Sequence, residues 1–201
     1  MGTIRHVVFD IGNVLLQWDP HLAFLPELGS RAAVDAFLAR IDFHRWNRLC
    51  DGGEDRAALT AAIADPQDRA VLTRYAARFA QTIAQPVPGS WDILNDLAAR
   101  DVPVGAITNF SADMWPQALA LYPALGTALD PVVVSGAERL LKPEPAIFQL
   151  FCQRAGVAPA DCLFIDDSPD NVTGAQAVGM QAVHFTDAPA LRGELERAGL
   201  L

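Results

Sequence analysis

Asp10 is the first residue in the chain whose type and position could do chemistry. It closes the apolar run Ile4-Arg5-His6-Val7-Val8-Phe9 and is followed at once by Ile11-Gly12-Asn13-Val14-Leu15. Val7, Val8 and Phe9 favour extended backbone, and Gly12-Asn13 is a turn pair. A carboxylate is therefore expected at the carboxyl end of a buried strand, where open α/β sheets place their ligands. For this segment taken alone, an aspartate that merely caps a turn by accepting backbone amides is an equal alternative.

Three later segments have the same character. Thr108-Asn109 follows the apolar run Val102-Pro103-Val104-Gly105-Ala106-Ile107. A hydroxyl and an amide at a strand end can bond phosphate oxygens without adding charge. Lys142 sits in Ser135-Gly136-Ala137-Glu138-Arg139-Leu140-Leu141-Lys142-Pro143-Glu144-Pro145. The usual fate of a lysine is a solvated surface, but the two prolines call for a fixed backbone at a helix start. Phe164-Ile165-Asp166-Asp167-Ser168-Pro169-Asp170-Asn171 ends in paired carboxylates, which repel unless a cation or donors compensate. A few hard oxygen ligands suit Mg²⁺, which keeps several waters and needs only one or two carboxylates. A helix-capping acid cluster is the plainer reading of that pair. Gly136 and Lys142 do not make a phosphate-binding P-loop, and no G-x-G-x-x-G follows a strand, which speaks against a dinucleotide site.

Five short apolar runs, at 4–9, 102–107, 131–135, 161–165 and 180–185, read as buried parallel strands. Helical segments separate the last four, which is the alternation of a doubly wound sheet. Ser90 is expected to cap a helix from Trp91 to about Arg100, with Trp91, Leu94, Leu97 and Ala98 on one stripe. Ser168, Pro169 and Asp170 open another, which Gly179 stops. Residues 17–88 are too long for one crossover and carry helical stripes: Leu59, Ala62 and Ile63, then Val71, Leu72, Tyr75 and Phe79. They read as a helical module inserted after the first strand, with Gln85-Pro86-Val87-Pro88-Gly89 as the return hinge.

The chain has 201 residues, of which 51% are hydrophobic and 19% charged, the balance of a globular protein. Its formal net charge of −9 argues against a nucleic-acid or anionic-membrane partner. It also means that an anionic substrate must be drawn in by a local cation. Cys50, Cys152 and Cys162 are odd in number and lack zinc spacing, so reduced thiols in a cytoplasmic protein are expected. A strand begins almost at once without a leader pattern, and no apolar stretch has membrane-spanning length.

Taken in order, the four strand ends supply Asp, Thr-Asn, Lys and Asp-Asp. In this the chain resembles the haloacid dehalogenase superfamily, over nearly its whole length. FDIGNVL, SGAERLLKPEPAIF and FIDDSPDNVTGAQAVGM are most similar to the capped branch holding α-D-glucose-1-phosphate phosphatases and the phosphatase domain of soluble epoxide hydrolase. The resemblance implies a Rossmann-like, doubly wound, five-stranded parallel α/β core (residues 1–16 and 89–201) with an inserted α-helical cap (17–88). It implies a Mg²⁺-dependent phosphatase acting on a small phosphate monoester, a sugar phosphate foremost. Asp10 matches the nucleophile that becomes an aspartyl phosphate. Asp10, Gly12 through its backbone carbonyl, and Asp167 match metal ligands, with Asp166 a further ligand or supporting partner. Thr108 and Asn109 match phosphate binders, and Lys142 the cation that neutralises Asp10 and the transferring group. Asn171 is expected to position Asp167.

One departure matters. Most such phosphatases carry a second Asp two residues after the nucleophile as general acid and base; here it is Gly12. Asp19, His21 and His44 are substitutes to consider. The gap also keeps open a metal-independent 2-haloacid dehalogenase attacking carbon through Asp10, and a non-catalytic phosphate-binding protein of the same fold. In the cap, the stretch Phe43–Gly53 matches a specificity loop, with Gly52-Gly53 turning it over the site. Trp46 could stack on a sugar face and Arg45 or Arg48 reach an anion, although Trp46 and Leu49 at i and i+3 suit the cap's own core better. The oligomeric state is open.

Overall fold

The computed structural model describes residues 4–201. Five strands form one parallel sheet: β1 (His6–Phe9), β2 (Val104–Thr108), β3 (Val132–Val134), β4 (Cys162–Asp166) and β5 (Gln181–His184). Their order is β3-β2-β1-β4-β5. β1 is central, with Val8 opposite Gly105 on one side and Phe164 on the other. Residues in β1, β2 and β4 are buried throughout, as a sheet covered by helices on both faces requires.

The period of two along a strand separates the two faces. Val7, Phe9, Leu163 and Ile165 share one core with Ile93, Leu94 and Leu97 of α7 (Ser90–Ala98) and Leu191 and Leu195 of α12 (Ala188–Arg197). Val8, Ile107, Val133 and Phe164 pack on the other face against Ile147, Phe148 and Phe151 of α10 (Pro145–Ala155) and Ala175 of α11 (Pro169–Ala177). α8 (Trp115–Leu121) and the four-residue α9 (Ser135–Glu138) complete the crossovers around β3.

Six helices lie between β1 and α7: α1 (His21–Leu28), α2 (Arg31–Arg40), α3 (Phe43–Asp51), α4 (Arg56–Ala61), α5 (Pro66–Thr73) and α6 (Tyr75–Thr82). Aromatic rings hold them together. Tyr75 stacks on Phe24 at 5.5 Å between centroids and meets Phe43, Trp46 and Phe79 edge-on. The buried residues of this module and those under α7 form a single cluster. The chain returns where Pro86 bridges to Leu16.

The expected strands stand within two residues of their observed ends. The helix expected from Trp91 begins at Ser90 instead, because Gly89 takes the cap position with φ +79°. The stripe Val71–Phe79 is split between α5 and α6 at Arg74, yet Leu72, Tyr75 and Phe79 are buried as it implied. The three cysteines are free and buried. Among the described residues no helix is long and apolar enough to cross a membrane.

Candidate active site

Because all five strands are parallel, their carboxyl ends share one edge, and the four segments meet there. Asp10 follows β1 directly; its amide donates to the Ile165 carbonyl at 2.8 Å. Its Oδ1 accepts from the Ile11 amide at 2.7 Å, so it does cap its turn. The same oxygen lies 2.8 Å from Lys142 Nζ. The turn contact and the ion pair coexist.

Lys142 is the centre of the arrangement. It is 1% exposed, and its ammonium also reaches Asp166 Oδ2 at 2.7 Å and the Ile107 carbonyl at 2.9 Å. Its Nζ stands 5.4 Å from the centroid of the Phe164 ring. Asn109 clasps its backbone: the Lys142 amide donates to Asn109 Oδ1 at 2.8 Å, and Asn109 Nδ2 donates to the Lys142 carbonyl at 3.1 Å. A lysine held at backbone and head, and desolvated, is not a surface lysine. Burial works against its charge, but Asp10 and Asp166 overrule it and hold its pKa above the ordinary value.

Asp166 ends β4 and is wholly buried. Besides Lys142 it accepts from the Ser168 amide at 2.8 Å and from Asn171 Nδ2 at 3.0 and 3.1 Å. Asn171 thus holds Asp166, not Asp167 as expected. Asp167 is half-buried, and its Oδ2 accepts from Asn13 Nδ2 at 3.1 Å. Burial raises the Asp167 pKa, with Asp166 adding to it and Asn13 opposing. One oxygen from each of Asp10, Asp166 and Asp167 lies within 4.8 Å of the others, a group that could hold a metal ion. Burial pushes Asp10 up to about 7, against the pull of Lys142; Asp166 and Asp167 reinforce the rise. One ammonium does not balance three carboxylates.

Beside this centre lies a cavity of about 200 Å³. Asp10, Gly12, Asn13, Asn109 and Asp167 line it on the core side, as do Phe110 and Ser111 beyond β2. Thr108 is buried at the end of β2 but does not line it. The helical module contributes Trp18, Asn47, Asp51, Phe79 and Ile83. Asn47 and Asp51 fall inside the stretch Phe43–Gly53 read as a specificity loop, although the sequence points there to Trp46, Arg45 and Arg48 instead; Ser111 lies in no stretch the sequence marks.

Trp46 packs as the favoured reading had it: it is 4% exposed and stacks on Phe43 inside the module's own core, whereas Leu49, expected to pack beside it, is 37% exposed. Arg45 and Arg48 are exposed and absent from the cavity lining. Of the substitutes for the acid missing at Gly12, Asp19 is bound to Arg31 at 2.5 Å and to His21 at 3.1 Å, and His21 also holds Asp35 at 2.7 Å. His44 is exposed. None of the three lines the cavity.

Fold and site together define a doubly wound α/β enzyme with an acidic centre at the carboxyl edge of its sheet. The family model of haloacid dehalogenase-like hydrolases matches residues 4–179, and the chain belongs to that family. A sesquiterpene phosphatase of Aspergillus oryzae is 26% identical over 97% of this chain and 96% of its own. Among solved structures, a haloacid dehalogenase family enzyme of Bacteroides thetaiotaomicron in its magnesium complex superposes with a TM-score of 0.70 at 21% identity, covering 98% of this chain and all of that one. The L-2-haloacid dehalogenase of Xanthobacter autotrophicus gives 0.64 at 23% identity, over 98% of this chain and 84% of its own. At such identities the two structures establish the fold alone.

Proposed function

We propose that the chain is a Mg²⁺-dependent phosphatase that hydrolyses a small phosphate monoester through an aspartyl phosphate on Asp10. The observation that carries this reading is Lys142 Nζ, 2.8 Å from Asp10 and 2.7 Å from Asp166, in a centre where Asp167 makes a third carboxylate. Such a group calls for a further cation, and hard oxygen donors beside a cavity suit Mg²⁺. Asp10, Asp167 and the Gly12 carbonyl would hold it, with Asp166, already engaged by Lys142 and Asn171, supporting from behind. The bound cation would neutralise charge on the phosphoryl oxygens.

The chain's own groups then have plain roles. Asp10 attacks phosphorus, splitting one hard displacement into two easier ones. Lys142 neutralises Asp10 and the charge spread over the equatorial oxygens, where most catalysis of phosphoryl transfer arises. Asn109, which lines the cavity, faces the phosphate and fixes the lysine as well, while Thr108, buried behind it, closes β2. Residues 17–88 act as the cap that excludes water, and the core comprises 1–16 and 89–201.

The dehalogenase reading fits the charges less well. A 2-haloacid would bring its own carboxylate to three others with one ammonium between them, and nothing in that chemistry uses the Asp166–Asp167 pair. The phosphatase activity in the name of the Aspergillus relative supports the same choice. A cavity of about 200 Å³, below the roughly 300–1,000 Å³ of most ligand pockets, favours a small leaving portion. Neither arginine nor lysine lines the cavity to meet a second anionic group, which favours an uncharged leaving portion. A monosaccharide phosphate meets both conditions, its C–H face against Trp18 and its hydroxyls toward Asn47.

The test is release of phosphate from p-nitrophenyl phosphate with Mg²⁺, wild type beside Asp10→Asn. Activity abolished by EDTA and by the substitution is the expected result. A wild type inert toward this ester but active on a 2-haloacid without metal would overturn the reading.

A further inference from the structure

One more ionisable side chain lines the cavity beside Asp10, and the phosphoryl chemistry of Asp10 and Lys142 does not engage it. It is Asp51, the last residue of α3. A helix C-terminus carries negative partial charge, so an ionised carboxylate is in an unfavourable place there. Its position is nonetheless closely fixed. Asn47 Nδ2, one turn back, donates to its Oδ2 at 2.8 Å. Ser135 Oγ donates to its backbone carbonyl at 2.6 Å and accepts from the Phe110 amide at 2.9 Å. One core hydroxyl thus ties the end of a cap helix to the loop that carries Asn109 and Ser111.

The reaction needs a proton donor in this cavity, and position 12 has no side chain to provide one. No histidine lines the cavity. His184 bonds the Asp167 carbonyl oxygen, His6 lies against Phe151, His21 is held by two aspartates and His44 is exposed. Asp10 is the attacking group and Asp167 faces the metal position.

We propose that Asp51 is the general acid and base of the reaction, carried over the site by the cap in place of the side chain absent at Gly12. The assignment rests on the phosphatase reading of the same site. In the first half-reaction an Asp10 oxygen bonds to phosphorus as the P–O bond to the alcohol breaks, and the departing oxygen takes the proton of Asp51. In the second, water bonds to phosphorus, Asp51 takes its proton, and the Asp10–phosphorus bond breaks. The sum is ester plus water to alcohol plus inorganic phosphate, with Asp51 protonated again.

The surroundings suit a group that must both give and take a proton near neutrality. Burial pushes the Asp51 carboxyl up to about 7, while the Ser111 amide and the charges of Arg48 and Lys142 pull the other way. Its neighbours Cys50 and Tyr75 add no charge, because burial raises both: Cys50 to about 12, and Tyr75 further above its ordinary value.

The experiment compares wild type, Asp51→Asn and Asp10→Asn, all with Mg²⁺, on p-nitrophenyl phosphate and on β-glycerophosphate. A nitrophenolate leaves without a proton, whereas an alkoxide does not. Asp51→Asn should lower kcat/KM for the alkyl ester by about 10²–10⁴-fold and for the aryl ester less than about tenfold. Its aryl reaction should show a burst of nitrophenolate, as the aspartyl phosphate accumulates for want of a base. Wild-type kcat/KM on the alkyl ester should fall above about pH 7, with the limb absent in the variant. Asp51→Glu should recover part of the alkyl activity.

Equal losses on both esters, or an unchanged alkyl-to-aryl ratio, would overturn the role of Asp51 and leave the phosphatase reading standing. A wild type inactive on both esters takes down both. Should Asp51→Asn fail to fold, Asn47→Ala tests the same point. Loss of a donor to the ionised form should move the alkaline limb to higher pH, and an unmoved limb counts against the assignment.

Discussion

Asp167 reaches the cavity with one oxygen tethered, and the tether comes from Asn13, far away in sequence. Asn13 spans two jobs: its Nδ2 holds Asp167, and its Oδ1 accepts from the Trp18 amide at 3.1 Å. Its φ of +55° is a left-handed conformation that asparagine tolerates better than most residues. Partners of this kind orient metal ligands, and losing one typically costs about 10–100-fold in metal affinity. Asn13→Ala should therefore raise the Mg²⁺ concentration for half-maximal activity by about that factor, with kcat at saturating Mg²⁺ changed far less. A Mg²⁺ activation curve that does not move would show that Asn13 does not orient Asp167. This tether was not legible along the chain, while Asp10, Lys142, Asp166 and Asp167 were, because each of the aspartates sits at a strand end and parallel strands bring such ends together. Asn171 shows the limit. Adjacent residues leaving a strand point to opposite sides, and reading along the chain assigned Asn171 to Asp167 when its amide serves Asp166.

The elements that place the site are a sheet whose three central strands are buried throughout and a helical module whose core is continuous with that under α7. The strands and the insertion were legible because apolar runs and helical stripes are local patterns. The seat of α3 on the core was not, since it depends on residues distant in sequence meeting backbone to backbone. Gly53 is the clearest case: its φ is +86°, and a Cβ there would stand 2.8 Å from the Gly136 carbonyl oxygen. Gly29, at the end of α1, has φ +79° with open space around it. Gly29→Ala should cost only the left-handed strain, roughly 1–2 kcal/mol, and leave kcat/KM alone. Gly53→Ala adds a clash with backbone at the joint that carries Asp51. It should lose more stability than Gly29→Ala in urea unfolding and also lower kcat/KM toward an alkyl phosphate. Equal stability losses with unchanged activity in both variants would mean that the cap is not seated through this contact.

At the scale of the whole molecule, the formal charge of −9 and the acidic centre are separate features that respond differently to cations. Any salt screens a diffuse negative surface within a Debye length of about 10 Å at 0.1 M ionic strength. The three clustered carboxylates gain instead from one localised divalent ion, since a ligand that binds only the folded state stabilises it by about 2.7 kcal/mol at 100 times its Kd. Burial and Asp166 both disfavour the ionised form of Asp167, so without metal this side chain works against folding at neutral pH. Metal-free Asp167→Asn should then have a Tm at least as high as wild type, a case of stability given up for a functional charge. Adding Mg²⁺ at constant ionic strength should raise the wild-type Tm and leave that of Asp167→Asn nearly where it was. If Mg²⁺ raises both alike, or if sodium chloride of equal ionic strength does the same, the response belongs to the negative surface and the acidic centre holds no specific ion.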